Sequence, residues 1–236
     1  MSISTSASKP TAPVRLSPES TTLPLMIVLT FVTGVVDSVG YLGLDRVFVG
    51  NMTGNIVILG MGLAGADELP VLGPAIALVA FTAAAFVAGL VLRTQPSGWT
   101  NRVSMCLAAG SAALTGCTVA IFMIDTSVNT AGQLVIAAAT AATMGTQAAV
   151  ARKVGVKDMT TVVVTSTLTS LASESWMSGS GSALWNRRIG AILAILVGAV
   201  VGAIILRHSH LGMAMALAAA LTVAVTVTGH IRIDRR

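Results

Sequence analysis

Apolar residues run almost unbroken through six stretches of this chain, at positions 23–44, 71–92, 103–124, 131–151, 189–206 and 211–229. Asp37 is the one formal charge inside them. Each stretch reaches the length, about 18 residues, at which an uncharged segment spans a bilayer as a helix. Two shorter segments break the pattern. Residues 47–64 are apolar but interrupted by Asn51, Thr53, Gly54, Asn55, Gly60 and Gly62, and residues 159–173 carry Thr160, Thr161, Thr165, Thr167 and Thr169. Ahead of the first run, residues 1–22 are rich in Ser, Thr and Pro, which predicts a disordered tail before an uncleaved first span. The reading is an all-α integral membrane protein: a tail over 1–22, then one transmembrane domain over 23–236.

Composition excludes the soluble alternative. Hydrophobic residues make up 54% of the chain, only 10% are charged, and mean hydropathy is +0.86. A soluble domain covers its surface with about a quarter charged residues. The net charge of +5 would suit nucleic acid, but the basic residues lie in short loops between the apolar runs, where they orient a membrane protein instead. Nucleic acid is therefore not an expected partner; the lipid bilayer is. Cys106 and Cys117 lie roughly 16 Å apart along one helix, too far for a disulfide with each other.

The loop charges also decide how the two short segments run. If both cross the membrane, giving eight spans, the 14 Lys and Arg divide evenly between the two sides. If both dip in and return, Arg46 and Arg207 alone face outward, and the other twelve face the cytoplasm. The second division has the asymmetry of the positive-inside rule. It predicts six spans, two short re-entrant or interrupted helical segments, and both termini in the cytoplasm.

The halves 23–124 and 131–229 echo each other. Thr30, Thr33 and Asp37 recur as Thr140, Thr143 and Gln147 at an offset of 110, and Thr53-Gly54-Asn55 recurs as Thr165-Ser166-Thr167 at an offset of 112. Arg93 and Arg207 close corresponding spans. Three crossings per half would turn the second half upside down, a 3+3 inverted repeat of the kind found in transporters. Against this stands the frequency of Thr, Ala and Gly in this chain, which makes short matches easy.

Candidate chemistry follows from the polar residues at membrane depth. Asp37 is costly there and normally faces a cavity or a partner. Thr30, Thr33, Asp37 and Tyr41 share one helix face, so that face could bind a cation, a polar solute or a proton. The alternative is that Asp37 lies near the interface and pairs with Arg46 or water. Asn51, Thr53, Gly54 and Asn55 could present unwound backbone to a ligand, or serve as packing glue. Gln147 is the counterpart of Asp37, and Thr161, Thr165 and Thr169 line one face of the second short segment. Gly198 and Gly202, four apart, predict close helix packing. No phosphate loop, metal cluster or catalytic triad is found, so no cofactor, no metal and no enzymatic role are expected.

The stretch from Gly34 and Asp37 through Val47-Phe48-Val49 to Asn51-Met52-Thr53-Gly54-Asn55, followed by Gly145, Gln147 and the run 161–169, resembles the YoaK family of bacterial inner-membrane proteins. The chain departs from that pattern at Ser166, where glycine is more usual. The resemblance implies a multi-pass protein of the bacterial inner membrane and carries over no substrate. Two functions are expected to compete. One is secondary transport of a small polar or cationic solute, centred on Asp37 and residues 51–55; the other is a non-transporting scaffold or sensor component. Homo-oligomerisation stays open.

Overall fold

The computed structural model describes residues 18–66, 68–123, 130–155, 169 and 182–234. Their regular structure is entirely helical: α1 Pro18–Gly43, α2 Met52–Leu63, α3 Leu72–Leu92, α4 Asn101–Met123, α5 Thr130–Val154, α6 Ser182–His208 and α7 Leu211–Asp234. All but α2 are long and apolar enough to cross a membrane. The six predicted spans are thus present, with ends that differ by a few residues. Helix α6 starts at Ser182 rather than 189, because the polar and basic residues before Ile189 continue the helix without a break. The first short segment is helical only from Met52; residues 47–51 are an irregular arm that bends at Val49 and Gly50. The second, 159–173, falls outside the described residues except for Thr169, and so do Thr161 and Thr165.

The six long helices alternate in direction. At one end, Gly43 of α1 abuts Leu206 of α6 and Leu211 of α7, Gly73 of α3 abuts Leu134 of α5, and Phe122 of α4 stacks on His210. At the other end, Arg102 donates to the Val91 carbonyl at 3.1 Å, Gly229 rests on Trp99, and the Gly98 N–H donates to the Lys153 carbonyl at 3.4 Å. Arg93, Arg102, Arg152, Lys153, Arg187, Arg188 and Arg232 gather at this second end, while Arg46 and Arg207 lie at the first. Since α1 ends and α3 begins at the same end, α2 does not cross between them.

Packing is uneven. Helix α1 packs most extensively on α6, α3 on α5, and α4 on α7; α1 also lies along α7, and α4 along α5. Glycines let the first two pairs approach. A side chain on Gly198 would strike the Phe31 carbonyl, and one on Gly202 would strike Val35 and Ser38. The closely spaced glycine pair therefore serves contact within the chain. Gly34 lies against the Ile195 carbonyl, and Gly145 against the Phe81 carbonyl. In membrane helices, where water expels nothing, such backbone proximity supplies much of the association energy.

Burial follows this packing. The most apolar 18-residue windows of α3 and α6 are each 17% buried, those of α4 and α7 39% and 44%, and those of α1 and α5 72% and 56%. Helices α1 and α5 form the interior, and α3 and α6 the periphery.

Candidate functional site: a hairpin anchored on Asp37

The hairpin between α1 and α3 is built by a sharp reversal. Asp45 and Arg46 both adopt left-handed backbone, φ 60° and 56°, which non-glycine residues rarely do in succession. The chain turns back, and the Gly40 carbonyl accepts hydrogen bonds from both the Leu44 and Val47 N–H groups, at 3.1 and 3.2 Å. Gly40 permits this because a Cβ there would meet the Val47 carbonyl. The arm 47–51 then descends beside α1 until Gly50 faces Thr33 and Asp37. Thr33 is ten residues from the end of α1, roughly 15 Å into the helix. Helix α2 starts there and returns toward the end from which the arm came.

A descending non-helical arm carries N–H groups that no helix satisfies, and unsatisfied amides at membrane depth are costly. Asp37 resolves this. Its Oδ1 accepts from three successive N–H groups, those of Val49 at 3.0 Å, Gly50 at 2.6 Å and Asn51 at 3.3 Å. The carboxylate pairs with amides and not with Arg46. It also sits at the N-terminus of α2, whose dipole favours negative charge. Oδ2 accepts no hydrogen bond from the described residues.

The other sequence candidates divide between structure and surface. Asn55 is fully buried and clamps the arm: its Oδ1 accepts from the Phe48 N–H at 2.9 Å, and its Nδ2 donates to the Phe48 carbonyl at 2.6 Å. Asn51 is the N-cap of α2, its side chain accepting from the Gly54 N–H at 3.2 Å. Asn51 and Thr53 are exposed. Gly54 makes room for the Phe48 ring, which stacks on Tyr41 at 4.9 Å between centroids. Tyr41 is itself exposed, so it does not share the buried face of Thr30, Thr33 and Asp37. Thr169 is exposed and lies away from the described hairpin in sequence.

Gln147 reaches across from α5 to α1. Its Nε2 donates to the Leu29 carbonyl and to Thr33 Oγ1, both at 3.1 Å. The Leu29 carbonyl can only accept, which fixes the nitrogen toward it and leaves Oε1 on the other side. Oε1 is buried and has no partner among the described residues. Thr33 and Gln147 are thus bonded across α1 and α5, one helical turn along α1 from Asp37. Sequence reasoning found all three residues but missed the amides of Val49 and Gly50, since backbone donors leave no mark in a side-chain pattern.

Among the described residues no group of His, Cys, Asp and Glu could hold a metal ion. Residues 25–228 match the model of a family described as "Protein of unknown function (DUF1275)". The chain is also similar to the UPF0700 transmembrane protein YoaK of Bacillus subtilis (strain 168), 29% identical over 152 residues. That match covers 64% of this chain and 65% of the relative, just under two thirds of its length. No solved structure matches.

Proposed function

This chain belongs to the DUF1275 family, and for this multi-pass membrane protein we propose secondary transport of a small polar or cationic solute through an inverted-repeat core. The observation that carries the reading is the pairing of the helices. Exchange of α1 with α5, α3 with α6 and α4 with α7 turns the two largest contacts, α1 on α6 and α3 on α5, into each other. The same exchange turns α1 on α7 into α5 on α4 and leaves α4 on α7 unchanged. The close approaches obey it too: Gly34 on Ile195 becomes Gly145 on Phe81, and Ile195 follows Phe81 at the interval that separates Arg207 from Arg93. Burial ranks the helices in the same three pairs.

Two inverted halves packed around interrupted helices are the frame in which transporters alternate access to a midplane site. The arm and N-terminus of α2, held halfway along α1 by Asp37, supply one such interruption. With the arginine-rich end in the cytoplasm of a bacterial inner membrane, as the positive-inside rule directs, this hairpin opens outward. No enzymatic role is proposed.

The test is solute-driven current from purified protein in liposomes, across a panel of small polar and cationic solutes. Wild type is expected to give a saturable current that Asp37→Asn abolishes while the protein still inserts and elutes as one species. An unchanged current in that variant would remove Asp37 from the mechanism. A reporter fused between Gly65 and Leu69 is expected on the same side as one fused at Ser209; opposite sides would undo the inverted repeat.

One observation favours a scaffold. Asp37 Oδ1, Asn51 and Asn55 are all engaged with the protein's own backbone, as a non-transporting bundle requires. Cysteines placed at Asn55 and Gly50 that react from neither face of the membrane would support that second reading.

A further inference from the structure

The interior around Asp37 has spent its hydrogen-bond donors and kept its acceptors. Each buried threonine there donates to its own helix: Thr30 to the Met26 carbonyl, Thr33 to Leu29, Thr140 to Ile136 and Thr143 to Ala139, at 2.7–3.0 Å. Both protons of the Gln147 amide are placed, on the Leu29 carbonyl and Thr33 Oγ1. The N–H groups of Val49, Gly50 and Asn51 all point at Asp37 Oδ1. What remains among the described residues is oxygen: Oε1 of Gln147, buried and without a partner, Oδ2 of Asp37, to which none of the three arm amides is bonded, and the second lone pair of Thr33 Oγ1. Donor-bearing Tyr41, Asn51 and Thr53 are exposed.

The Gln147 oxygen is the sharpest of these. Gln147 is 2% exposed, and a buried acceptor without a partner is costly relative to one that has a donor. Asp37 lies one turn, roughly 6 Å, along α1 from Thr33, to which Gln147 is bonded. Oxygen atoms from a carboxylate, a carboxamide and a hydroxyl, with no donor left over beside them among the described residues, suit a hard cation or an ammonium group and repel an anion.

We infer that the Thr33–Asp37–Gln147 cluster binds a small monovalent cation, either an alkali metal ion or a protonated amine. Both sources share the same chemistry, positive charge and no acceptor of their own. The cluster supplies one formal negative charge, already partly offset by three amides, so a monovalent ion fits its charge better than a divalent one. This deepens the transport reading and rests on it for the ion's role as substrate or coupling species. Binding itself can be measured apart from transport.

The experiment is thermal unfolding of the full purified chain in detergent at constant ionic strength, with sodium, potassium, methylammonium or choline chloride. Choline carries the charge without an N–H donor and is the control. At least one small cation is expected to raise Tm saturably above choline; which one does so separates a metal ion from an amine. Asp37→Asn and Gln147→Met are each expected to weaken its apparent affinity about tenfold or more, the loss of one bond to a charged group. Gln147→Met leaves the Asp37 anchor untouched, so it carries the test if Asp37→Asn does not fold. The inference is overturned if no small cation exceeds choline, if the shift survives both variants, or if it follows the anion instead. A cation shift in a protein without flux would remove the transport reading and keep this one. Flux without any cation shift would do the reverse.

Discussion

Asp37 on α1 and Gln147 on α5, 110 positions apart in the chain, do opposite work. Asp37 turns its charge toward the segment that follows its own helix, where one oxygen gathers three amides of the arm. Gln147 instead reaches to a different helix and clips α5 to the middle of α1. The difference is chemical. A carboxylate only accepts, and three converging N–H groups offset much of its desolvation cost. A carboxamide also donates, so it can bond a helix carbonyl that a carboxylate would repel. An acid at position 37 therefore holds a hairpin, and an amide at position 147 holds a helix crossing.

The comparison is broken most severely at the glycines. Gly34→Val and Gly145→Val each push a side chain into a carbonyl of the facing helix, where backbone cannot yield. Overpacking of this kind costs about 1–3 kcal/mol and sometimes more. If the two seams are equivalent, the two variants should lose similar fractions of monodisperse protein on size-exclusion chromatography. A tolerated Gly145→Val beside a collapsed Gly34→Val would show that the halves carry unequal loads.

Asp37→Ala comes next. It strands three N–H groups at membrane depth and should cost about 3 kcal/mol, read as a lower unfolding temperature together with faster proteolysis near residues 45–50. Asn55→Ala should cost somewhat less, about 2 kcal/mol, since it frees one donor and one acceptor of Phe48. It should loosen the same arm while leaving the α1–α5 crossing intact, which a cysteine crosslink between those helices would confirm.

Gln147→Leu should have the smallest effect. Hydrogen bonds between membrane helices average about 0.6 kcal/mol, and the change also removes an unpaired oxygen. Stability within about 1 kcal/mol of wild type is expected. A much larger loss would mean that Gln147 is as firm an anchor as Asp37, and the contrast between the halves would fail.

Much of this was legible in the chain. Apolar length set the six spans, and loop charge divided the ends as the structure does, because both are properties of composition along a line. Thr33, Asp37 and Gln147 stood out for the same reason: polar atoms are conspicuous among apolar ones. Their roles were not legible. A stretch such as Asn51-Met52-Thr53-Gly54-Asn55 looks like one ligand cluster, yet Asn55 is a buried clamp, Asn51 is a cap and Thr53 is exposed.

The sequence by itself determined that this protein is a bundle of membrane helices and which of its side chains would be costly there. Desolvation is a local penalty, and it can be read residue by residue. Tertiary structure alone decided what meets that cost. Asp37 is held by amides twelve to fourteen residues further on, and the Gln147 amide by a helix more than a hundred residues before it. Only the reversal at Asp45 and Arg46 brings the arm's amides to Asp37, and only the packing of α5 on α1 brings Gln147 to Leu29 and Thr33.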